Sequence, residues 1–192
     1  PFIFIRLTGC NLRCNYCDTA YAYQKGTLYS IDSILQKITK YPCQNVEITG
    51  GEPLLQEESR PLIKKLLDNG YRVLMETNGT RSLANLPIEL IKIVDVKTPG
   101  SGVKIPFPEE NFTYINKQDN LKFVICSRKD FEWSVEICRR HSLLERAEVL
   151  FSAAPKQVDY RDLWEWILKE GLDIRFQPQL HKMIWENKTK GV

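Results

Sequence analysis

Short apolar runs alternate with amphipathic segments along almost the whole chain. Runs rich in Val, Ile, Leu and Phe predict β-strands, which are expected at 2–7, 45–49, 72–76, 92–97, 121–126, 147–151 and 173–177. Segments with apolar residues three and four positions apart predict helices, which are expected at 30–41, 57–69, 129–141 and 159–170. Ser30 is expected to cap the first helix, and Gly70 and Gly171 are expected to end the second and the last. The pattern therefore predicts strands and helices in alternation.

The strands are short and nearly continuous in apolar residues, which is typical of parallel strands buried on both faces. Repeated strand–helix units give an open doubly wound sheet or a barrel. A full eight-stranded barrel takes roughly 250 residues, and this chain has 192. We therefore predict an α/β fold, a partial (open) parallel (β/α) barrel of about six βα units. Ligands of such folds collect at the carboxyl ends of the strands.

Composition excludes several classes of protein. Apolar residues make up 43% and charged residues 27% of the chain, which is ordinary for a globular domain and excludes a disordered or collagen-like chain. No apolar stretch is long enough to span a membrane. The net charge of +3 is too small and too scattered to favour nucleic-acid binding. We expect neither a membrane nor a nucleic acid among the partners.

Three of the six cysteines lie within eight residues, and they follow the first predicted strand. Cys10, Cys14 and Cys17 have the spacing C-x3-C-x2-C. A secreted disulfide scaffold would spread its cysteines through the loops, so the cluster indicates a metal or cofactor site in the reducing cytoplasm. Three thiols in one loop leave a metal centre with an open position, which is typical of catalytic sites. A structural zinc site completed by Cys43, His141 or His181 is the alternative.

A second unusual motif follows the next strand. Gly50 and Gly51 stand at the strand end, where the missing side chains would let a ligand approach the backbone. Glu52 and Pro53 come directly after them. Alone, this motif is an ordinary turn between strand and helix. Because it follows the cysteine loop by one βα unit, the two motifs form a specific pair.

Together the two motifs resemble those of the radical S-adenosyl-L-methionine (SAM) superfamily. Its signature is C-x3-C-x2-C with an aromatic residue, here Tyr16, before the third cysteine, followed by Gly-Gly-Glu. The resemblance implies that the three thiolates bind a 4Fe-4S cluster and that SAM chelates the fourth iron. Reductive cleavage of SAM would then give a 5′-deoxyadenosyl radical that abstracts hydrogen from a substrate.

Further segments resemble one branch of that superfamily, which forms 7-carboxy-7-deazaguanine. They are 6–14, 17–19, 76–80 and 179–185. The resemblance implies that 6-carboxy-5,6,7,8-tetrahydropterin is contracted to the deazaguanine with release of ammonia, in queuosine biosynthesis. It also implies that SAM is a recycled cofactor and that Mg2+ assists.

The resemblance also implies roles for individual residues. Thr19 would supply its hydroxyl to Mg2+, a cation that prefers oxygen ligands, and Arg6 would pair with the pterin carboxylate. Thr49 and His181 would contact the substrate too. The residues expected to border SAM are Tyr16, Asp18, Gly50, Gly51, Glu52, Lys97, Thr98 and Ser152. Lys97 could instead form an ion pair with Glu76.

One segment of the branch has no counterpart in this sequence. A short Gly/Glu-rich substrate-binding segment is expected before the first strand, whereas the sequence begins at Pro1. We therefore expect residues 1–192 to form a single radical SAM domain that lacks this segment. The expected partners are the pterin, a one-electron reductant such as flavodoxin, and a second copy in a homodimer.

Two other functions remain open at this point. A glycyl-radical-enzyme activase shares the cysteine loop and the Gly-Gly-Glu strand but acts on a protein. A non-catalytic zinc-binding module would use the cysteines alone and would have no need of Gly50, Gly51 and Glu52.

Overall fold

The computed structural model describes residues 1–24 and 26–184, without the side chains of His181 and Lys182. Seven strands form one parallel sheet in chain order. They are β1 (Ile3–Leu7), β2 (Asn45–Gly50), β3 (Arg72–Thr77), β4 (Ile91–Val96), β5 (Asn120–Ile125), β6 (Glu148–Ala153) and β7 (Ile174–Phe176). The seven predicted strands are all confirmed, and the sheet is the open, partial barrel expected from the sequence.

The helices of the described ranges pack on the apolar face of this sheet, except the last, whose Leu180 lies on the opposite face. They are α1 (Ile31–Ile38), α2 (Ser59–Asp68), α3 (Arg128–Arg140), α4 (Leu143–Arg146), α5 (Tyr160–Glu170) and α6 (Leu180–Ile184). Ser30 caps α1, since its hydroxyl accepts from the Ser33 amide at 3.2 Å. Gly171 ends α5 with φ +69°, a conformation that favours glycine. The connections β3–β4 and β4–β5 contain short 3-10 turns or loops in place of α-helices.

The two faces of the sheet differ in chemistry. On the outer face, Ile48 and Met75 pack with α2, and Phe123 and Phe151 pack edge to face at 5.5 Å above α3. Side chains alternate between the faces of a strand, and the inner face carries charged and polar residues beside the buried apolar residues Val124 and Leu150. The expectation of apolar burial on both faces is therefore met only in part. None of the helices in the described ranges is both long and apolar enough to cross a membrane.

Candidate active site

The cysteine loop lies at the carboxyl edge of the sheet, directly after β1. All three thiols line a cavity of about 950 Å³ that the inner faces of the strands enclose. The loop is tied to the turn after β4: the Asn15 amide donates to the Ser101 carbonyl at 3.0 Å, and its side chain donates to the Gly100 carbonyl at 2.7 Å. These contacts join the end of β1 to the end of β4 at the carboxyl edge of the sheet.

Asp130, in the first turn of α3, fixes the loop that follows β4. Its buried carboxylate accepts from the Thr98 hydroxyl at 3.1 Å, from the Gly100 amide at 2.9 Å and from the Cys126 amide at 3.0 Å. Thr98 is itself buried, and its single hydroxyl hydrogen is shared between Asp130 and the Val124 carbonyl, which lies 2.9 Å from Thr98 Oγ1. A chain of hydrogen bonds therefore runs from α3 through the turn to the cysteine loop.

The two glycines at the end of β2 bring this loop against the strand. A Cβ at residue 50 would lie 2.0 Å from the Leu7 carbonyl oxygen, and a Cβ at residue 51 would lie 1.9 Å from that of Gly9. The amides of Gly51 and Glu52 donate to those same two oxygens, at 3.0 and 2.8 Å. The space left by the missing side chains is thus filled by the neighbouring main chain, where the sequence had suggested a ligand.

Glu52 is fully buried and does not line the cavity. Its carboxylate accepts from the Thr77 hydroxyl at 2.7 Å, from the Asn78 amide at 2.7 Å and from the Leu54 amide at 2.9 Å. Burial raises the pKa of this carboxyl, while the three hydrogen bonds oppose the rise. Glu52 therefore joins the ends of β2 and β3 from behind the cavity wall.

Two ion pairs cross the inner wall. Lys97 Nζ lies 2.7 Å from Asp95 Oδ2, and Lys122 Nζ lies 2.7 Å from Glu76 Oε1. The suggested pairing of Lys97 with Glu76 is therefore wrong, because Asp95 and Lys122 stand closer on the same face. Lys122 holds the pKa of Glu76 at about 2 against the effect of burial. Burial lowers the pKa of Lys97, but Asp95 and Cys14 outweigh it and the net shift is upward.

Unpartnered polar atoms concentrate in this cavity. Within the described ranges, five buried side-chain N or O atoms lack a hydrogen-bond partner, and four of them belong to residues that line it. The four are Tyr16 OH, Asp95 Oδ1, Gln177 Oε1 and Gln179 Oε1. Because a buried polar atom without a partner costs about 1–3 kcal/mol, this wall is built for a polar ligand.

Most of the residues expected at the site do line the cavity. They are Arg6, Cys10, Cys14, Tyr16, Cys17, Asp18, Thr19, Thr49, Gly50, Gly51, Lys97 and Ser152. The side chains of Glu52 and Thr98 lie behind the wall, and the side chain of His181, on helix α6, lies outside the described residues. Thr19 Oγ1 lies 3.7 Å from Cys17 Sγ, and Thr49 donates to Glu76 at 3.2 Å.

Sequence reasoning missed much of the charged wall. Glu47, Asp95, Lys122 and Gln177 line the cavity but belong to no recognisable motif. For Glu47, Asp95 and Lys122 the available signal was the period of two within strands, which places them on the face opposite the apolar residues; Gln177 follows β7 and had no such signal.

The alternative zinc ligands lie elsewhere in the fold. Cys43 precedes β2, at the amino edge of the sheet, and its thiol contacts the Pro1 and Asn45 carbonyls. His141 follows α3 and stacks on Phe112 at 4.8 Å. Among residues 1–24 and 26–184, no three His, Cys, Asp or Glu side chains converge on a position for one metal ion.

The donor set fits an iron–sulfur cluster beside a polar ligand. Thiolates are the usual ligands of such clusters. Burial raises the pKa of the Cys14 thiol, and the nearby Lys97 ammonium opposes this rise. The Leu12 amide donates to Cys10 Sγ at 3.4 Å. Next to these thiols, the free oxygens of Asp95 and Tyr16 offer hydrogen bonds to a second group.

Comparison with known proteins gives matches over most or all of the chain. The sequence profile described as the radical SAM superfamily matches residues 4–145. A Koribacter versatilis protein named 7-carboxy-7-deazaguanine synthase is 45% identical over the whole chain and 92% of its own length. A Chlorobaculum tepidum protein of the same name is 37% identical over the whole chain and 89% of its own length.

Solved structures of Streptococcus suis SuiB share the fold. One of them superposes with a TM-score of 0.67 at 14% identity, over 96% of this chain and 51% of SuiB. The form described as bound to S-adenosylmethionine gives 0.64 at 15% identity, over 93% of this chain and 46% of SuiB. The chain thus spans about half of SuiB, and the likeness at this identity concerns the fold alone.

Proposed function

The chain belongs to the 7-carboxy-7-deazaguanine synthase family of the radical SAM superfamily, and on that premise we propose how its residues serve the reaction. The substrate is 6-carboxy-5,6,7,8-tetrahydropterin, and the product is 7-carboxy-7-deazaguanine, formed with release of ammonia. The observation that carries the proposal is the cavity itself, where three thiols face a wall of charged and unpartnered polar groups.

Membership of this superfamily brings a 4Fe-4S cluster and SAM as cofactors. When bound, they supply the electron and the 5′-deoxyadenosyl radical that start the reaction. Cys10, Cys14 and Cys17 hold the cluster. Tyr16 and Asp95 have free oxygens beside it for hydrogen bonds to SAM, and Lys97 places a positive charge there for its carboxylate.

Arg6 and Thr49 receive the substrate. They are register partners on β1 and β2, so both side chains enter the cavity at the same level. The Arg6 guanidinium lies over the Phe4 and Tyr21 rings, at 6.0 and 5.9 Å from their centroids, and forms no ion pair in the described part of the chain. A planar guanidinium that is free of carboxylates matches the substrate carboxylate in charge and shape.

Thr19 provides the Mg2+ ligand in this proposal. Its hydroxyl faces the cavity beside Cys17 and Asp18, so an ion bound there would meet the substrate near the cluster. Thr19→Ala should weaken activation by Mg2+ more than it weakens SAM cleavage. Thr39→Ala, which removes an exposed hydroxyl at the C-terminal end of α1, is the matched control. An unchanged Mg2+ dependence in Thr19→Ala would refute the assignment.

The function itself is tested by anaerobic reconstitution with iron and sulfide, followed by SAM, a reductant and the pterin. Mass spectrometry should detect 7-carboxy-7-deazaguanine. Cys14→Ala should lose iron and turnover, whereas Cys43→Ala, which removes a thiol at the opposite edge of the sheet, should keep both. Release of 5′-deoxyadenosine without the deazaguanine would contradict the substrate and leave the radical chemistry in place.

Several of the expectations from the sequence remain predictions. They are the homodimer, the flavodoxin-type reductant, the cytoplasmic location, and a single domain over 1–192 without the N-terminal substrate-binding segment.

A further inference from the structure

The chain that follows the third cysteine folds back onto the cysteine loop. A short 3-10 turn at Ala20–Ala22 reverses its direction, and the Gly9 amide donates to the Ala22 carbonyl at 2.8 Å. Tyr23 comes directly after this turn and lines the cavity together with Cys17. The fold-back therefore holds an aromatic residue beside one of the three thiols.

Arg13, in the middle of the cysteine loop, fixes the Tyr23 ring to that loop. Its guanidinium donates to the Cys10 carbonyl at 2.9 Å and to the Leu12 carbonyl at 2.7 Å. The centre of the guanidinium lies 4.2 Å from the centroid of the Tyr23 ring, which is within the range of a cation–π interaction. Arg13 therefore ties this ring to the main chain that carries the cysteines.

The Tyr23 hydroxyl is a hydrogen-bond partner of the Cys17 side chain. Burial raises the pKa of Tyr23, and the hydrogen bond to Cys17 raises it further. A phenol keeps its proton at neutral pH, so the hydroxyl is the donor and the sulfur is the acceptor. This donor stays in place only as long as the ring is held by Arg13.

Two hydroxyl groups lie close to Cys17 Sγ. Thr19 Oγ1 is 3.7 Å away, and either atom of that pair could be the donor. In the proposed function the Thr19 oxygen is a ligand of Mg2+, whereas no second ligand is assigned to the Tyr23 hydroxyl. The Arg13 cation also draws electron density from the phenol through the π-system of the ring, which makes its O–H a stronger donor. Tyr23 is therefore the better donor to this sulfur.

We propose that Tyr23, positioned by Arg13, raises the reduction potential of the 4Fe-4S cluster by donating a hydrogen bond to the Cys17 thiolate. The inference rests on the proposed function, in which the three cysteines hold that cluster. Hydrogen bonds to the sulfurs are among the factors that set the potential of such clusters. A donor stabilises the more negative, reduced form more than the oxidised form, so its presence makes reduction easier. Tyr23 is thus a positioning residue that acts through Cys17.

The test is a redox titration of the anaerobically reconstituted enzyme, followed by the electron paramagnetic resonance signal of the reduced cluster. Tyr23→Phe removes the hydroxyl and keeps the ring against Arg13. It should lower the equilibrium constant for one-electron reduction about three- to tenfold, which is a fall of about 28–59 mV in the midpoint potential. Iron content should stay at the wild-type value, because all three cysteines remain. A merely structural role of the ring would leave the potential unchanged.

Two further sets of variants separate the hydrogen bond from other effects. Tyr41→Phe, which removes the hydroxyl of an exposed tyrosine after α1, is the matched control and should keep the wild-type potential. Arg13→Gln should also lower the potential, because the ring loses its anchor and the site loses a positive charge. Arg13→Lys keeps the charge and should recover part of that fall.

A second replacement keeps the proposal testable if Tyr23→Phe does not retain its cluster. Site-specific replacement of Tyr23 by 3-fluorotyrosine keeps the hydroxyl and makes it more acidic, and hence a stronger donor. The midpoint potential should then rise above the wild-type value, opposite in sign to the change in Tyr23→Phe.

An unchanged potential in Tyr23→Phe, or no rise with 3-fluorotyrosine, would overturn the assignment. A fall that occurs in Thr19→Ala and not in Tyr23→Phe would overturn it too, because Thr19 would then be the donor. A wild-type enzyme that makes no deazaguanine from the pterin would instead refute the proposed function, and the potentials could still be compared. The two failures are therefore distinguishable.

Discussion

Replacing Gly51 with Ala would put a methyl group where the main chain of the cysteine loop now lies. The new Cβ would stand 1.9 Å from the Gly9 carbonyl oxygen and 2.5 Å from its carbon. Ordinary van der Waals contact begins at 3.4 Å, so the loop must withdraw by about 1.5 Å. Backbone atoms cannot rotate away as a flexible side chain could, so the displacement reaches Cys10 directly.

The cost follows from the contacts that would be lost. Withdrawal breaks the hydrogen bonds from the Gly51 amide to Leu7 and from the Glu52 amide to Gly9, at about 0.5–1.5 kcal/mol each. Residual overpacking adds about 1–3 kcal/mol, which gives a total of about 2–6 kcal/mol. A domain of this size loses about 2–4 °C in Tm per kcal/mol, so the apoprotein should unfold at least about 4 °C lower.

The assay is calorimetry of the apoprotein together with the iron content after reconstitution. Gly51→Ala should lower both. Gly70→Ala is the control, because a Cβ there meets nothing within 4 Å and only the left-handed φ of +79° is strained. That control should cost about 1–2 kcal/mol and retain all its iron. A Gly51→Ala protein with full iron and unchanged Tm would refute this account of the glycine.

Three further substitutions test other parts of the site. Glu52→Gln should destabilise the fold by about 1–3 kcal/mol in urea unfolding, because the amide can no longer accept from all three donors; an unchanged free energy of unfolding would contradict the bracing role. Asp130→Asn should speed iron loss to a chelator, because the turn that holds Asn15 is loosened, and wild-type kinetics would contradict this. Glu47 has a folded pKa of about 7, above its ordinary 4.5, so its contribution to stability is complete below pH 4.5 and is lost as the pH rises through 7. Glu47→Gln should remove that part of the pH dependence, and an unchanged profile of the free energy of unfolding would count against the shift.

The positions of the strands along the chain and the ends of the helices could be predicted because local signals determine them. The side chain of Ser30 caps its own helix, and Gly171 ends one by its own φ. The cysteine loop could be predicted too, because its three cysteines lie within eight residues of one another and follow a strand.

The charged inner wall could not be predicted, because it depends on register. Lys122 and Glu76 are far apart in sequence and on strands that are not neighbours, and only the curvature of the sheet brings them to 2.7 Å. The buried position of Glu52 could not be predicted either, because its hydrogen-bond donors Thr77 and Asn78 lie at the end of β3, far from it in sequence. The sequence places Gly50 and Gly51 correctly at the end of β2. Whether a ligand or the main chain after β1 fills the space beside them depends on how β1 packs against β2.

The alternation of charged and apolar residues along each strand has a consequence for how such a protein can change over time. Inner positions such as Glu47, Thr49 and Lys122 face the cavity, while their neighbours Ile48 and Phe123 face the helices. A mutation at every second position can therefore alter substrate preference without entering the hydrophobic core. Selection for a new substrate and selection for folding act on separate sets of residues, interleaved one by one along the same strands.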